Sequence, residues 1–231
     1  GDSLFAFCTG LVSAEIMDGV PEIGYGMFNG CTNLRSVTIP ESVDVIRLYA
    51  FYNCASLSNV VIPKGVRSIS DYAFKDCTNL ARLTLPDGLS SIGKEAFINC
   101  ISLTDLVLPE SITSIGDSAF RECTSLTRMT IPKNLSNTGT NAFNGCRSLS
   151  EVTILDGVTS IGDGAFAGCS SLKRVVIPDS VQIIGYDAFY YCTNLAGLAF
   201  PNSLQSIGGR AFYGCTSLKE ISLPDSVTRM E

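Results

Sequence analysis

The sequence predicts a solenoid of ten 23-residue units, and three observations support that prediction. Ten cysteines follow one another at intervals of 23 residues, without an insertion or deletion. A phenylalanine lies three residues before every cysteine, and a leucine lies three residues after it. A register kept this strictly is typical of stacked repeats, because looser tandem arrays tolerate length changes between units. We therefore expect residues 1–231 to form one array without an internal linker.

In each unit, the stretch after cysteine predicts a short β-strand. In the regular copy from Ala165 to Gly185, the segment Leu172–Pro178 alternates apolar and polar side chains at its centre and contains β-branched residues. Proline ends the strand because it has no N–H to donate to a ladder. Ten such strands, paired in parallel at about 4.8 Å, predict one main sheet about 45–50 Å long.

The rest of the unit predicts three short elements. Asp179-Ser180 suits a tight turn, and the alternation of Val181–Gly185 indicates a second short strand or extended strip. The segment 163–169 predicts a single helical or 3₁₀ turn that places Phe166 in the interior. Between 134 and 155 the pattern is least regular: Thr138 replaces an isoleucine and Leu155 replaces a proline.

The cysteines are predicted to be buried, reduced thiols that pack as small hydrophobic groups. The chain has no histidine, and no two cysteines are closer than 23 residues, which is unlike a zinc site. Stacked thiols about 5 Å apart on parallel Cα–Cβ bonds lie beyond the usual disulfide range. The sequence therefore predicts no metal and no cofactor.

Composition argues against several classes of function. A net charge of −6 without a basic stripe disfavours nucleic acid and anionic lipid as partners. No apolar run is long enough to span a membrane, and no signal peptide opens the chain. Without histidine, a nucleophile elbow or a phosphate-binding loop, no catalytic residues are predicted. The chain starts inside one unit and stops before completing another, so we expect it to be a piece of a longer protein.

The unit carries a recognisable combination, Leu-x-x-Leu-x-Leu-Pro with Ile-Gly-x-x-Ala-Phe-x-x-Cys. This combination resembles the BspA-like, or Treponema-type, leucine-rich repeats over the whole chain, although Ser or Gly stands where the general repeat has Asn or Cys. The resemblance implies a leucine-rich repeat solenoid with a parallel sheet on one face and short extended, 3₁₀ or single-turn helical segments on the other. It also implies a secreted or surface-anchored adhesin that contacts extracellular-matrix or epithelial proteins.

One outward column of the main sheet alternates in charge. It lies five residues after successive cysteines, and neighbouring members are expected about 5 Å apart. Two interpretations are open: a ladder of ion pairs that holds the strands in register, and a strip that recognises a charged partner. We call this column the charged strip, and it consists of Arg82, Asp105, Arg128, Glu151 and Arg174.

All eight tyrosines precede a cysteine closely, away from the predicted main sheet, and they form two groups. Tyrosine is favoured at interfaces because it combines a large apolar area with a polar tip. The alternative is that exposed turns simply tolerate tyrosine. The second group is a candidate contact patch, and it consists of Tyr186, Tyr190, Tyr191 and Tyr213.

The leading hypothesis is therefore a non-enzymatic protein-binding module on a host-contacting surface. A second hypothesis is a glycan-binding module in which exposed tyrosines stack on sugar rings, and a third is a structural spacer. The identity of the ligand, the face that binds it and the oligomeric state stay open, because the residues themselves define a scaffold rather than a site.

Overall fold

The computed structural model describes residues 1–231 as a parallel β-solenoid with rungs 23 residues apart. Each rung can contribute one strand to each of two faces. The main-sheet strands are β1 (Ser13–Glu15), β3 (Ser36–Thr38), β5 (Asn59–Val61), β7 (Arg82–Thr84), β10 (Arg128–Ile131), β11 (Glu151–Ile154) and β13 (Arg174–Val176). The second-sheet strands are β2 (Glu22–Ile23), β4 (Val45–Ile46), β6 (Ser68–Ile69), β8 (Ser91–Ile92), β9 (Ser114–Ile115), β12 (Ser160–Ile161), β14 (Ile183–Ile184), β15 (Ser206–Ile207) and β16 (Arg229–Met230).

The parallel pairing and its register confirm the prediction, but the main sheet contains fewer strands than the ten predicted. Seven strands form, and they pair as β1–β3, β5–β7 and β10–β11–β13. Asp105 and Gly197 each keep only an isolated bridge to the preceding rung. Aspartate and glycine are poor strand residues, which accounts for both interruptions. The rung that contains Glu220 forms no main-sheet strand.

The irregular stretch of the sequence, residues 134–155, contains one strand of the most extensive main-sheet pairing. Strands β10 and β11 pair over four residues. The N–H of Leu155 donates to the carbonyl of Ile131 at 3.0 Å, a bond that the usual proline could not make. Thr138 is fully buried, and its hydroxyl accepts a hydrogen bond from the N–H of Gly162 at 2.9 Å. Both exceptions therefore add hydrogen bonds between rungs.

The predicted single helical or 3₁₀ turn before each cysteine does not form. The segment consists of hydrogen-bonded turns whose N–H groups point alternately along the solenoid and back within the rung. The N–H of Phe97, for example, donates to Ala119 of the next rung at 2.8 Å, whereas that of Ile98 donates to Glu95 at 3.3 Å. This alternation requires left-handed residues, and Glu95 and Asn99 have φ of 50° and 61°. The turns thus form a third column of bonds between rungs.

The core is a stack of identical side chains. The ten phenylalanine rings lie one above another with centroids 4.9–5.6 Å apart and planes within 15°. Eight of these rings, from Phe28 to Phe189, are fully buried. Each stacked pair contributes about 0.5–1.5 kcal/mol beyond the burial of its area. The apolar columns predicted from the sequence are thereby confirmed as one continuous core.

The cysteine column lies beside the phenylalanines and makes a hydrogen bond in every rung after the first. Each thiol from Cys31 to Cys215 donates to the carbonyl oxygen of the phenylalanine in the preceding rung at 3.0–3.3 Å. Burial raises the pKa of the Cys146 thiol to about 12. All ten thiols are free; nine are buried as predicted, whereas Cys8 is exposed.

Gly116, just after strand β9, lies where neighbouring rungs approach each other closely. A Cβ atom on Gly116 would lie 2.6 Å from the carbonyl carbon of Gly93 and 2.8 Å from Cα of Lys94. Both neighbours are backbone atoms, so they cannot turn away. By contrast, a Cβ on Gly197 would meet no atom within 4 Å.

Gly116→Ala should lower the free energy of unfolding by about 1–3 kcal/mol, because the added methyl forces two rungs apart. The matched control Gly197→Ala should be neutral or stabilising by up to about 1 kcal/mol, because the methyl has space and restricts the unfolded chain. Urea unfolding of both variants measures the difference. Equal stability of the two variants would contradict the close-approach argument.

The native protein should react with a thiol reagent through Cys8 alone at neutral pH, because the other nine thiols are buried. Because burial raises the pKa of these nine thiols, they should remain protonated and unreactive well above neutral pH. All ten thiols should react in denaturant. Colorimetric thiol titration measures both counts, and Cys8→Ser should abolish the fast fraction. Fast reaction of several thiols in the folded protein would contradict the burial of the cysteine column.

Candidate functional site

The main-sheet face presents two exposed columns side by side. Along a strand, successive side chains point to opposite faces, so the first and third residues face solvent while the middle one enters the core. The first column contains the charged strip, and the third contains threonines and valines. Because every rung repeats the arrangement, each outward residue lies beside its counterpart 23 residues later.

The structure places the charged strip as the sequence predicts. Arg128, Glu151 and Arg174 are neighbours in a continuous ladder, and Asp105 bridges back to Arg82. All five side chains are exposed. The strip therefore displays single charges of alternating sign along five consecutive rungs.

The strip does not form the ladder of ion pairs that was one of its two interpretations. The five ion pairs of the protein all lie elsewhere, and none joins two members of the strip. An exposed pair gains about 0–1 kcal/mol and loses side-chain entropy, so solvation of each charge competes with pairing. The charges of the strip are consequently free to meet a partner.

The adjacent column adds exposed apolar surface. Val107 is 81% exposed, the largest value for any large hydrophobic side chain, and Val61 is 58% exposed. Val107 follows Asp105, where the main sheet is interrupted, and its rung contributes no main-sheet strand. Near Arg174, the small residues Gly197 and Ala199 form a depression of about 510 Å³. The face thus combines free charge with exposed apolar groups.

Three of the four candidate tyrosines come together. The rings of Tyr190 and Tyr213 stack at 5.3 Å, and Tyr191 meets them edge-on at 4.6 and 5.6 Å. Arg210 lies 5.6 Å from the Tyr190 ring and pairs with Asp187 at 2.7 Å. The nearby phenols of Tyr190 and Tyr213 raise the pKa of Tyr191. We call Tyr190, Tyr191 and Tyr213 the tyrosine cluster.

Tyr186 does not join the tyrosine cluster. It lines a separate groove over the second sheet together with Asp163, Gln205 and Arg229. The first tyrosine group forms its own cluster: Tyr49 stacks on Tyr72 at 5.0 Å and meets Tyr25 and Tyr52 edge-on. The predicted division of the tyrosines into two groups is confirmed, with Tyr186 as an outlying member.

One groove was not identified from the sequence. It runs over the second sheet between β6 and β9, has a volume of about 670 Å³, and is lined by serines and charged residues. Ser68, Ser91 and Ser114 occupy one column along its floor, with Asp71 and Lys94 at its side. The signal available in the sequence was the serine 14 residues after these cysteines. Serine is also common near turns, so that signal is weak.

Two further observations bear on the chemistry of the chain. No three His, Cys, Asp or Glu side chains come together in a way that could hold a metal ion. The structure contains no helix that could cross a membrane.

Comparisons with known proteins agree with this architecture. The family model of the BspA type leucine rich repeat region (6 copies) matches residues 1–127, 44–173, 91–195 and 138–231, which together cover the chain. The T. pallidum leucine-rich repeat protein is 35% identical, with 71% of this chain and 79% of that chain covered and a TM-score of 0.66. No curated protein matches the chain.

Two other solved structures share the fold. A leucine-rich repeat protein from Eubacterium ventriosum is 22% identical over 92% of this chain and 67% of that chain, with a TM-score of 0.71. A leucine rich cell surface protein from Faecalibacterium prausnitzii is 28% identical over 100% of this chain and 75% of that chain, with a TM-score of 0.55. The chain belongs to the BspA-type leucine-rich repeat family and resembles bacterial cell-surface proteins with this protein-interaction fold.

Proposed function

We propose that the chain is a non-enzymatic protein-binding module of a secreted or cell-surface adhesin, and that the main-sheet face receives the partner. The charged strip supports the proposal most directly. Its five charges are exposed and unpaired on a scaffold whose rungs are bonded together along three columns. Such a surface is preorganised, so binding costs little ordering of the module.

The composition of the face favours a protein partner. Alternating charges steer an oppositely patterned surface toward the strip and select its register. Val61 and Val107 supply apolar area in the column beside the strip. Similarity to a protein named as a cell surface protein supports an extracellular location. Host-matrix or epithelial proteins are the partner class that we propose on that basis.

Arg174→Glu should reduce capture of matrix or epithelial-membrane proteins by about tenfold, because it places a negative charge at one end of the strip. Arg121→Glu is the matched control. Arg121 is exposed, makes no ion pair and lies in the turns before the cysteines, away from the main sheet. Quantitative pull-down at two salt concentrations measures the effect. Equal losses for both variants would mean that net charge rather than the main-sheet face controls capture.

The tyrosine cluster favours a second candidate function, glycan binding. Tyr191 and Tyr213 are 46% and 55% exposed, and the polar groups of Arg210 and Asp187 lie beside them. An aromatic face next to hydrogen-bonding groups is suited to a sugar ring, which has an apolar face and a polar rim.

A glycan array should register binding that is lost in Tyr190→Ala and Tyr191→Ala, because each substitution dismantles the tyrosine cluster. Tyr72→Ala removes a partly buried ring from the other cluster and should leave binding intact. An array without signal, or equal loss in all three variants, would exclude this second function.

A further inference from the structure

The charged strip carries a pattern that is complementary to itself. From Arg82 to Arg174 the charge changes sign at every rung, and no ion pair within the chain neutralises it. We infer that the main-sheet face binds a second copy of this chain in an antiparallel, face-to-face dimer. This inference rests on the proposed function, because it uses the same face and names one partner for it.

Twofold symmetry sets the geometry of such a contact. When two sheets face each other about an axis parallel to their strands, the order of the rungs is reversed but each column faces itself. An axis that passes through a rung of the strip brings like charges together. An axis that passes between two rungs brings opposite charges together, because the sign alternates with every rung.

An axis between the rungs of Asp105 and Arg128 places four of the five strip charges opposite a charge of the other sign. Asp105 then faces the partner's Arg128, and Arg82 faces the partner's Glu151. Each pair occurs twice by symmetry, and Arg174 faces the amide of the partner's Asn59. An axis one rung further along forms as many opposite-charge pairs, but it leaves Arg82 opposite the partner's Gly197, which offers it no side chain. We therefore assign the first register.

The neighbouring column fits the same axis. Val61 faces the partner's Val176, and Thr84 faces the partner's Thr153. Val107 lies beside the axis, where its 81% exposed side chain can be covered by the partner's Thr130. Valine meets valine and threonine meets threonine in the two outer pairs, and the methyl group of Thr130 lies against Val107 in the central pair.

The turns that follow the strands are mostly complementary in this register. Lys64 faces the partner's Asp179, and Glu110 faces the partner's Lys133. Asp87 and the partner's Asp156 meet as like charges at the margin. Opposite pairs outnumber like pairs two to one there, so the flanks favour the dimer weakly.

The size of the contact sets its strength. Six rungs at about 4.8 Å and three or four residues of strand at about 3.3 Å give roughly 300 Å² per partner. A stable interface buries about 800 Å² per partner. The dimer should therefore be weak, and because its pairs lie near the surface, salt should dissociate it.

Charge exchange at the axis tests the inference. Asp105→Arg and Arg128→Glu, made singly, each place two like-charged pairs at the axis and should weaken the dimer by about tenfold or more. The double variant D105R/R128E restores opposite charges and should recover the affinity of the unaltered chain. Sedimentation equilibrium of the full chain, at protein concentrations up to the millimolar range in low and high salt, measures each dissociation constant.

Two matched controls isolate the face. Arg121→Glu changes the same charge in the turn column and should dimerise like the unaltered chain. Val107→Ser should weaken the dimer, whereas Ile183→Ser, at a 49% exposed position of the second sheet, should not. A monomer at every concentration in low salt would overturn the inference, as would a double variant no tighter than the single ones.

The experiment also separates this inference from the proposed function. If the chain stays monomeric while Arg174→Glu still abolishes capture of other proteins, self-association fails and the proposed function stands. If the exchange variants behave as expected but no other protein is captured, the face serves self-association alone.

Discussion

The whole molecule depends on one constraint: every residue must tolerate its counterpart from the next rung at about 4.8 Å. Three columns of backbone hydrogen bonds impose that spacing, one in each sheet and one in the turns before the cysteines. The side chains inside follow from it. Phenylalanine rings stack as parallel plates, thiols reach the carbonyl of the preceding rung, and glycine remains where two backbones nearly touch.

This constraint acts differently on buried positions and on exposed ones. Buried positions admit few residue types, since a change of volume in one rung disturbs both neighbours. Outward positions carry no such restriction, so charge and aromatic residues vary there from rung to rung. A solenoid of this kind therefore separates its stability, which is repeated, from its recognition surfaces, which are not. The irregular rungs at Asp105 and Gly197 are consistent with this division, because both lie on the main-sheet face.

Much of the candidate site was predictable because it belongs to columns. The charged strip could be placed in register from spacing alone, and Arg128, Glu151 and Arg174 are indeed direct neighbours. Apart from Arg210–Asp187, which are separated by 23 positions, the ion pairs were not predictable from the columns. Arg47–Glu22 and Lys75–Glu95 join residues that are not separated by 23 positions, and they depend on side chains leaning across columns. Tyr186 likewise precedes its cysteine closely, as Tyr190 does, but it lines the second-sheet groove, whereas Tyr190 stacks on Tyr213.

The sequence by itself determined the length of a rung, the parallel pairing, the buried columns and the membership of each outward column. When the apolar residues repeat strictly, stacking in register is the arrangement that covers the apolar face of every unit. Burial of that face stabilises each rung by several kcal/mol. Only the tertiary structure decided the left-handed turns in place of a helical turn, the breaks in the main sheet and the free state of the charged strip. Those outcomes rest on differences of about 1 kcal/mol between competing hydrogen bonds, solvation and side-chain entropy, which a pattern of residue types does not resolve.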